Sequence, residues 1–222
     1  MSGKRGLLRK GRAMLEGRTD RVIWNFGTCA VIVAHPGDET LWAGGTILMH
    51  PESRWTVLAL CRPSDEAVGS HFTEALEQLG VSGRMGELPN TPTCSTRPAR
   101  DILQAITALI PPGRFDLVIT HGIFGECSRH PRHEETARAV MTLRESGRVS
   151  CDELWMFAFE DGGGKYLPRP SRDADLLISL PKEIWQRKYD IITGTYGFAA
   201  DSIEAQTTPR QEAFWKLGVR KR

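Results

Sequence analysis

Short apolar runs rich in β-branched residues alternate along this chain with longer amphipathic segments. The first run, residues 28–34 (TCAVIVA), carries no charge, which is typical of a strand buried on both faces of a sheet. Similar runs predict strands at 55–60, 115–120, 154–159 and 176–180, and amphipathic segments predict helices at 38–49, 65–79, 97–110, 134–144 and 182–192. This alternation indicates a mostly parallel sheet with helices on both faces. We therefore expect a single-domain α/β fold, a Rossmann-like three-layer sandwich.

The composition fits one soluble domain. The chain has 222 residues and a formal net charge of +2, so its overall charge gives no general attraction to nucleic acid. Hydrophobic residues make up 40% and charged residues 25%, which argues against a disordered chain. No apolar run approaches the roughly 20 residues that a membrane-spanning helix needs. The five cysteines include no C-x-x-C pair and do not form a disulfide pattern, so we expect a reduced, cytoplasmic protein.

Residues 1–21 form a basic extension before the domain, which we place at 22–222. The extension carries seven basic and two acidic side chains and a loose helical pattern of apolar residues. We expect a short helix packed on the domain surface. An arm that binds a membrane surface or nucleic acid fits less well, because the apolar face is small and has no aromatic anchor.

Polar residues follow two of the predicted strands at the point where each strand ends. His35 and Asp38 come directly after the first strand, and His121, His130 and His133 follow the strand at 115–120. In open α/β sheets, ligands bind outside the carboxyl ends of the strands. The functional site is therefore expected in this region.

These residues favour a metal site. His35 and Asp38 stand three residues apart on a turn stiffened by a proline and can converge on one cation, and a histidine from the second loop would complete a three-ligand site. Two imidazoles and one carboxylate suit Zn²⁺ and also Fe²⁺. An H-x-x-D segment by itself could merely cap the following helix. The H-x-x-H segment after a second strand favours the metal instead.

Two segments resemble the signatures of the PIG-L/LmbE superfamily of metal-dependent N-deacetylases. VIVAHPGDETLWAGGTI (31–47) is similar to the family's first signature, A-H-P-D-D-E followed by a Gly-Gly-Thr helix start, and ITHGIFGECSRHPRH (119–133) is similar to the second. Weaker similarity extends the resemblance over residues 28–198. The resemblance implies a hydrolase that removes an acetyl or other acyl group from its small-molecule partner, an amino sugar conjugate of the N-acetylglucosamine type.

The resemblance also implies the roles of individual residues. It assigns the metal, Zn²⁺ or another divalent ion such as Fe²⁺, to His35, Asp38 and His133. His130 takes the role of stabilising the tetrahedral oxyanion and protonating the leaving amine, for which a position three residues before a ligand histidine is suitable. Glu39 is counted with the catalytic residues as a carboxylate that supports the ligands from the start of the helix.

Gly37 is the main departure from the family pattern. The family has an aspartate at this position, which serves as general base, whereas glycine cannot take a proton. Loss of a positioned base typically costs about 10²–10⁴ in rate. Three explanations stay open: another carboxylate replaces the base, the protein binds without turnover, or Gly37 is an inactivating change or natural variant in an otherwise complete site. The candidates for a replacement carboxylate are Glu39, Asp65, Glu126 and Asp161.

Residues expected to contact the substrate also differ from the family pattern. Arg132 replaces the aspartate of the family's H-P-D-H segment, and Arg62 and Arg129 are candidates for contacting an anionic group of the substrate. Cys127 is interpreted as a small loop residue rather than a nucleophile, because the sequence shows no partner that would activate it.

Two other classes of function stay open. A metal-retaining binding protein without turnover is favoured by Gly37. A nucleotide-binding domain would need residues 44–46 (Gly-Gly-Thr) to hold a phosphate, but neither a G-x-G-x-x-G nor a P-loop pattern is present. The glycines more simply let the helix pack close to the sheet. Whether the protein forms a homo-oligomer is left open by the sequence.

Overall fold

The structure, a computed structural model, describes residues 26–62, 66–89, 98–127 and 130–217. The predicted extension at 1–21 lies outside the described residues, as do Asp65, Arg129 and the side chain of Arg62. Our expectations for these positions stay predictions.

Strands and helices alternate through most of the described chain. In chain order the elements are β1 (Thr28–Val33), α1 (Asp38–Met49), β2 (Arg54–Arg62), α2 (Glu66–Leu79), β3 (Ser82–Pro89), α3 (Ala99–Leu109), β4 (Arg114–Thr120), α4 (Pro131–Glu145), β5 (Ser150–Phe157), β6 (Phe159–Glu160), β7 (Arg169–Pro170), β8 (Leu176–Ser179), α5 (Lys182–Asp190), α6 (Ile203–Thr207) and β9 (Gln211–Leu217). A π-helical turn at Ile191–Thr195 continues α5. None of the helices in the described residues is long and apolar enough to cross a membrane.

Within the described residues, seven strands form one sheet in the order β3-β2-β1-β4-β5-β9-β8. β1 pairs in parallel with β2 and β4, and parallel pairing continues to β3 on one side and to β5 on the other. β9 runs antiparallel between β5 and β8. The sheet is thus mostly parallel, as predicted, and its strand order reverses between β1 and β4.

Apolar side chains cover both faces of the sheet. One face packs against α1 and α2 through residues such as Trp42 and Phe72, and the other packs against α3 and α4 through residues such as Ile102 and Val140. Successive residues of β1 point to opposite faces and all but the first are buried, which explains why this run is apolar throughout. The predicted three-layer α/β sandwich is confirmed.

The Gly-Gly-Thr segment of α1 contacts a carboxylate of the protein itself. Glu212 of β9 accepts hydrogen bonds from the N–H groups of Gly45 and Thr46, both at 2.7 Å, and from Thr46 Oγ1 at 2.6 Å. The ammonium group of Lys188 lies 2.6 Å from the same carboxylate, and neither charged side chain is exposed. Gly45 therefore lets α1 pack closely against its neighbours, and Glu212 occupies the place that a bound phosphate would need.

We expect Gly45→Ala to lower the free energy of unfolding by about 1–3 kcal/mol, since an extra methyl group in a packed interior displaces its neighbours. A Cβ atom here would overlap the side chain of Leu180 and lie 2.9 Å from Glu212 Oε1. Gly44→Ala is the matched control. Its Cβ would have its nearest neighbour at 3.4 Å, and helix propensity favours alanine by up to about 1 kcal/mol. Urea unfolding compares the variants, and equal stabilities would contradict this packing.

Candidate metal centre

The carboxyl ends of β1 and β4 meet where the strand order reverses, and the predicted site residues gather there. The turn after β1 contributes His35 and Asp38, which is the first residue of α1. The segment after β4 contributes His121, and α4 follows directly on His130 with Pro131 in its first turn, a position that suits proline. This crevice is where open α/β sheets bind their ligands.

Asp38 lies at the centre of the cluster. Its Oδ2 atom accepts a hydrogen bond from the backbone N–H of His35 at 2.8 Å and lies 3.2 Å from His35 Nδ1. The same oxygen lies 3.4 Å from Nε2 of His133 and 3.5 Å from Nε2 of His121. The structure thus brings together His35, Asp38 and His133, to which the resemblance assigned the metal. Their role as ligands stays a prediction.

His130 lies beside these predicted ligands. Its ring stacks on that of His133 with the centroids 4.1 Å apart and meets His35 edge to face at 5.1 Å. His35, His130 and His133 each offer a donor atom within 4.8 Å of the others, as do Asp38, His121 and His133. The Nδ1 atom of His130 is buried and has no hydrogen-bond partner among the described residues. This ring therefore has a polar atom available to a bound molecule.

Glu126 orients two of the histidine rings, a role that the sequence analysis missed. Its Oε2 atom lies 2.6 Å from Nδ1 of His133 and 2.9 Å from Nδ1 of His121. With Nδ1 turned to Glu126, His133 presents Nε2 to Asp38. The backbone N–H of Ala34 donates to Nε2 of His121 at 2.9 Å, so both ring nitrogens of His121 already have partners within the protein. The Thr120-His121 and Gly125-Glu126 pairs of the second signature are the sequence features that could have predicted the role of Glu126.

We expect Glu126→Gln to weaken metal binding about 10–100-fold, the usual cost of losing a carboxylate that orients a ligand histidine. Titration against a chelating dye of known affinity measures the change. Glu145→Gln alters an exposed glutamate at the end of α4 by the same charge, and this control should bind metal as the wild type does. Equal affinities in the two variants would show that Glu126 does not act through the ligands.

Glu39, a candidate for the replacement base, is instead part of the turn that carries Gly37. Its buried carboxylate accepts hydrogen bonds from the N–H of Gly37 at 2.9 Å and from the hydroxyls of Thr40 and Tyr196, both at 2.7 Å. Burial raises the pKa of Glu39 above its ordinary value, although these hydrogen bonds stabilise the charged form. We infer that Glu39 supports the ligands by holding the turn.

The other candidates for the base are also engaged or lie elsewhere. Besides the two histidines at Oε2, Glu126 accepts the N–H of Gly122 at its Oε1 atom, at 2.7 Å. Asp161 accepts the N–H of Gly163 at 2.9 Å and lines a different, mostly apolar cavity beside β5. Asp65 lies outside the described residues.

Gly37 adopts a backbone conformation that suits glycine. Its φ is +102° and its ψ is −32°, a region that residues with a side chain rarely adopt. A Cβ atom at this position would lie 3.6 Å from the ring of Phe198, an ordinary contact. Conformation rather than space therefore disfavours a side chain here, and Gly37→Asp would have to change the turn in order to add a carboxylate.

Opposite charges offset the burial of the two carboxylates in the cluster. Burial alone would raise the pKa of Asp38, but the surrounding imidazoles, chiefly that of His133, hold it well below its usual range. Burial likewise opposes the charged form of Glu126, but His121 and His133 lower its pKa to about 2. Burial and the neighbouring histidines lower the pKa of His130 to about 4. The two carboxylates are thus ionised, each beside imidazoles of the cluster.

A cavity of about 180 Å³ opens at Asp38, with Gly37 and Cys127 among the residues of its wall. Burial and the neighbouring carboxylates raise the pKa of Cys127 to about 12, which favours the protonated thiol; our interpretation of Cys127 as a small loop residue stays a prediction. Arg132 forms an ion pair with Glu135 one turn along α4, and its charge is thereby balanced within the helix.

The donor set fits a divalent cation. Imidazole nitrogens and one carboxylate are the ligands that Zn²⁺ and Fe²⁺ accept in proteins. The hydrogen bond from His133 Nδ1 to Glu126 is the kind of support that metal-binding histidines usually have.

Solved structures with the same fold include proteins of more than one activity. The N,N'-diacetylchitobiose deacetylase of Pyrococcus horikoshii has a TM-score of 0.65 at 13% identity, over 87% of this chain and 84% of its own. GalB, the 4-carboxy-2-hydroxymuconate hydratase of Pseudomonas putida KT2440, has a TM-score of 0.61 at 15% identity, over 88% and 98%. The zinc-inhibited form of teicoplanin deacetylase Orf2 has a TM-score of 0.59 at 14% identity, over 87% and 99%. At such identities the likeness shows the fold alone.

A family model gives the more specific result. No curated protein matches the chain, but the model described as GlcNAc-PI de-N-acetylase (PIG-L) matches residues 30–144. The match covers just over half of the sequence and contains the whole cluster from His35 to His133. The chain therefore belongs to the PIG-L, or GlcNAc-PI de-N-acetylase, family.

Proposed function

We propose that this protein is a metal-dependent amide hydrolase that removes an acetyl or related acyl group from an amino sugar conjugate of the N-acetylglucosamine type. The observation that carries the proposal is the approach of His35 and His133 to one oxygen of Asp38 at the carboxyl ends of β1 and β4. Membership of the family supports a deacetylase-type reaction. A neighbour that acts on N,N'-diacetylchitobiose supports the amino sugar.

We propose Zn²⁺ as the resident ion, held by His35, Asp38 and His133, with Fe²⁺ as the alternative. When bound, such an ion supplies Lewis-acid chemistry: it polarises the acyl carbonyl and lowers the pKa of water toward about 7. The ligand types support either ion. One neighbour is described as zinc-inhibited, so reconstitution should use no more than one equivalent of metal.

The remaining residues bind the substrate and stabilise developing charge. We propose that His130 donates a hydrogen bond to the oxyanion that forms as the carbonyl is attacked; its Nδ1 atom, which has no partner among the described residues, and its position beside His133 support this role. Glu39 holds the turn between the ligands. Arg62 and Arg129 remain our candidates for contacting an anionic group of the conjugate. The four cysteines that the structure describes are free thiols, which supports a cytoplasmic location as part of the proposal.

Metal removal tests the proposal directly. The purified protein should contain close to one equivalent of a divalent ion and release free amine from N,N'-diacetylchitobiose or another N-acetylglucosamine derivative. Treatment with a chelator should abolish release, and one equivalent of Zn²⁺ or Fe²⁺ should restore it. Amine release that survives complete removal of metal would contradict the proposal.

The alternative is a metal-retaining protein that binds an amino sugar conjugate without turnover, which the glycine at position 37 favours. It predicts one bound ion and saturable binding of the same sugars by calorimetry, with no amine released. The hydrolase predicts release from at least one of them.

A further inference from the structure

One wall of the cavity at the candidate metal centre comes from α6, an element that the sequence analysis did not identify. Phe198 covers Gly37, and Ile203, Glu204 and Thr207 of α6 complete this side. The helix is fixed by Ser202, whose Oγ atom accepts the N–H of Ala205 at 3.1 Å. The wall that faces Gly37 thus contains two polar residues, Glu204 and Thr207, beside the apolar Phe198 and Ile203.

Glu204 places a carboxylate in this wall. Among the described residues that line the cavity, Asp38 and Glu204 carry carboxylates, and Asp38 already contacts His35 and His133. Glu204 is partly exposed, and its carboxylate has no hydrogen bond or ion pair with any residue that the structure describes. Burial is the main reason for the raised pKa of Cys127, and the charge of Glu204 adds to it. The Glu204 carboxylate is thus near enough to Cys127, another residue of the cavity wall, to contribute to the raised pKa of that thiol.

Thr207 lies one turn after Glu204 on the same face of α6, because residues three apart in a helix are neighbours. The residue is 6% exposed, and its Oγ1 atom has no hydrogen-bond partner within the part of the chain that the structure describes. A buried hydroxyl without a partner is costly to keep in a folded protein. Since Thr207 lines the cavity, its hydroxyl is available to a molecule that enters there.

We propose that Glu204 supplies the carboxylate missing at position 37 and takes the proton of the water that attacks the substrate, with Thr207 hydrogen-bonding the substrate or that water. This inference rests on the proposed function. Glutamate is one methylene longer than aspartate and approaches from α6 rather than from the turn. The glycine conformation at position 37 is compatible with this arrangement, since the turn no longer has to carry the base.

The step balances as a hydrolysis. The oxygen of water forms a bond to the acyl carbon while one of its protons passes to the Glu204 carboxylate, and the carbonyl electron pair moves to the oxygen that His130 faces. When the adduct collapses, the carbon–nitrogen bond breaks with its electron pair on nitrogen. That nitrogen takes the proton from Glu204, which leaves a free amine, a carboxylic acid and the ionised Glu204.

Glu204→Gln in the metal-loaded protein is the first test. We expect kcat to fall about 10²–10⁴-fold, with metal content unchanged, and Glu204→Asp to recover part of the loss. Glu183→Gln, the same change at an exposed position of α5, should have no effect. Unchanged kcat in Glu204→Gln would overturn the proposal.

A second readout does not depend on turnover. In the Co²⁺-loaded protein we expect the visible spectrum to change with pH, and removal of a neighbouring negative charge should move the midpoint of this change to lower pH in Glu204→Gln. A midpoint equal to that of the wild type would overturn the proposal even if kcat fell. If the wild type hydrolyses none of the sugars, the proposed function fails by itself, and this titration then decides whether Glu204 faces the metal.

Thr207→Val separates a functional hydroxyl from a structural one. We expect the melting temperature to stay the same or rise, because an unpartnered buried hydroxyl is removed, while KM rises about tenfold, the equivalent of one hydrogen bond. A lower melting temperature with unchanged KM would assign Thr207 to the fold and remove it from the proposal.

Discussion

Asp38→Asn will leave the protein folded but without bound metal, and amide hydrolysis will fall at least about 10³-fold, since the ion contributes several kcal/mol to the transition state. The affected oxygen lies within 3.4 Å of nitrogens of both His35 and His133. An amide at this position keeps the shape of the side chain but lacks the negative charge. Elemental analysis of dialysed protein and amine release from N,N'-diacetylchitobiose measure the two losses.

Asp173→Asn is the control for this variant, since it makes the same change at an exposed position. It should retain both metal and activity. If Asp38→Asn retained a full equivalent of metal, the ion would have to be bound by other residues. The donor atoms of His35, His130 and His133, which lie within 4.8 Å of one another, form the alternative set.

Lys188→Met will lower the free energy of unfolding by about 3–5 kcal/mol, the cost of leaving the other half of a buried ion pair without its partner. Lys188 and Glu212 are both fully buried and 2.6 Å apart. Burial lowers the pKa of Lys188, and the carboxylate of Glu212 counteracts part of that effect. Methionine preserves much of the side-chain volume but leaves Glu212 charged inside the protein, and chemical unfolding measures the loss.

Lys216→Met is the matched control. Lys216 pairs with Glu153 at 3.3 Å, but both side chains are partly exposed, and such pairs contribute at most about 1 kcal/mol. Similar losses in the two lysine variants would show that the buried pair contributes no more than a pair at the surface.

The central part of the fold was predictable because its signal is local. The strands β1, β2 and β4 are buried on both faces, and for this reason their sequences are apolar at successive positions. β3 was missed because it is an edge strand with alternating exposed positions and two glycines. β9 was missed as well, since a buried glutamate interrupts its apolar pattern and is stabilised only by residues distant in sequence.

The candidate site was predictable only as far as adjacent residues define it. The H-x-x-D and H-x-x-H segments identified the cluster, because each follows the end of a strand. The function of Glu126 depends on the angles of two rings, and the conformation of Gly37 depends on a turn held by Glu39 and Tyr196. Glu204 reaches the cavity from α6, a five-residue helix that is distant in sequence from the other site residues. So short a helix has no periodic pattern of apolar residues from which it could be predicted.

The contact between Gly45 and Glu212 also determines when the protein can mature during synthesis. The two residues are separated by 167 positions, and at roughly 5–20 residues per second the ribosome needs on the order of ten to thirty seconds to make the intervening chain. Throughout that interval the nascent helix that carries Asp38 lacks strand β9, and the N–H groups of Gly45 and Thr46 lack the carboxylate of Glu212. Loading of the cation is therefore expected to follow translation of β9 rather than accompany emergence of the first ligands.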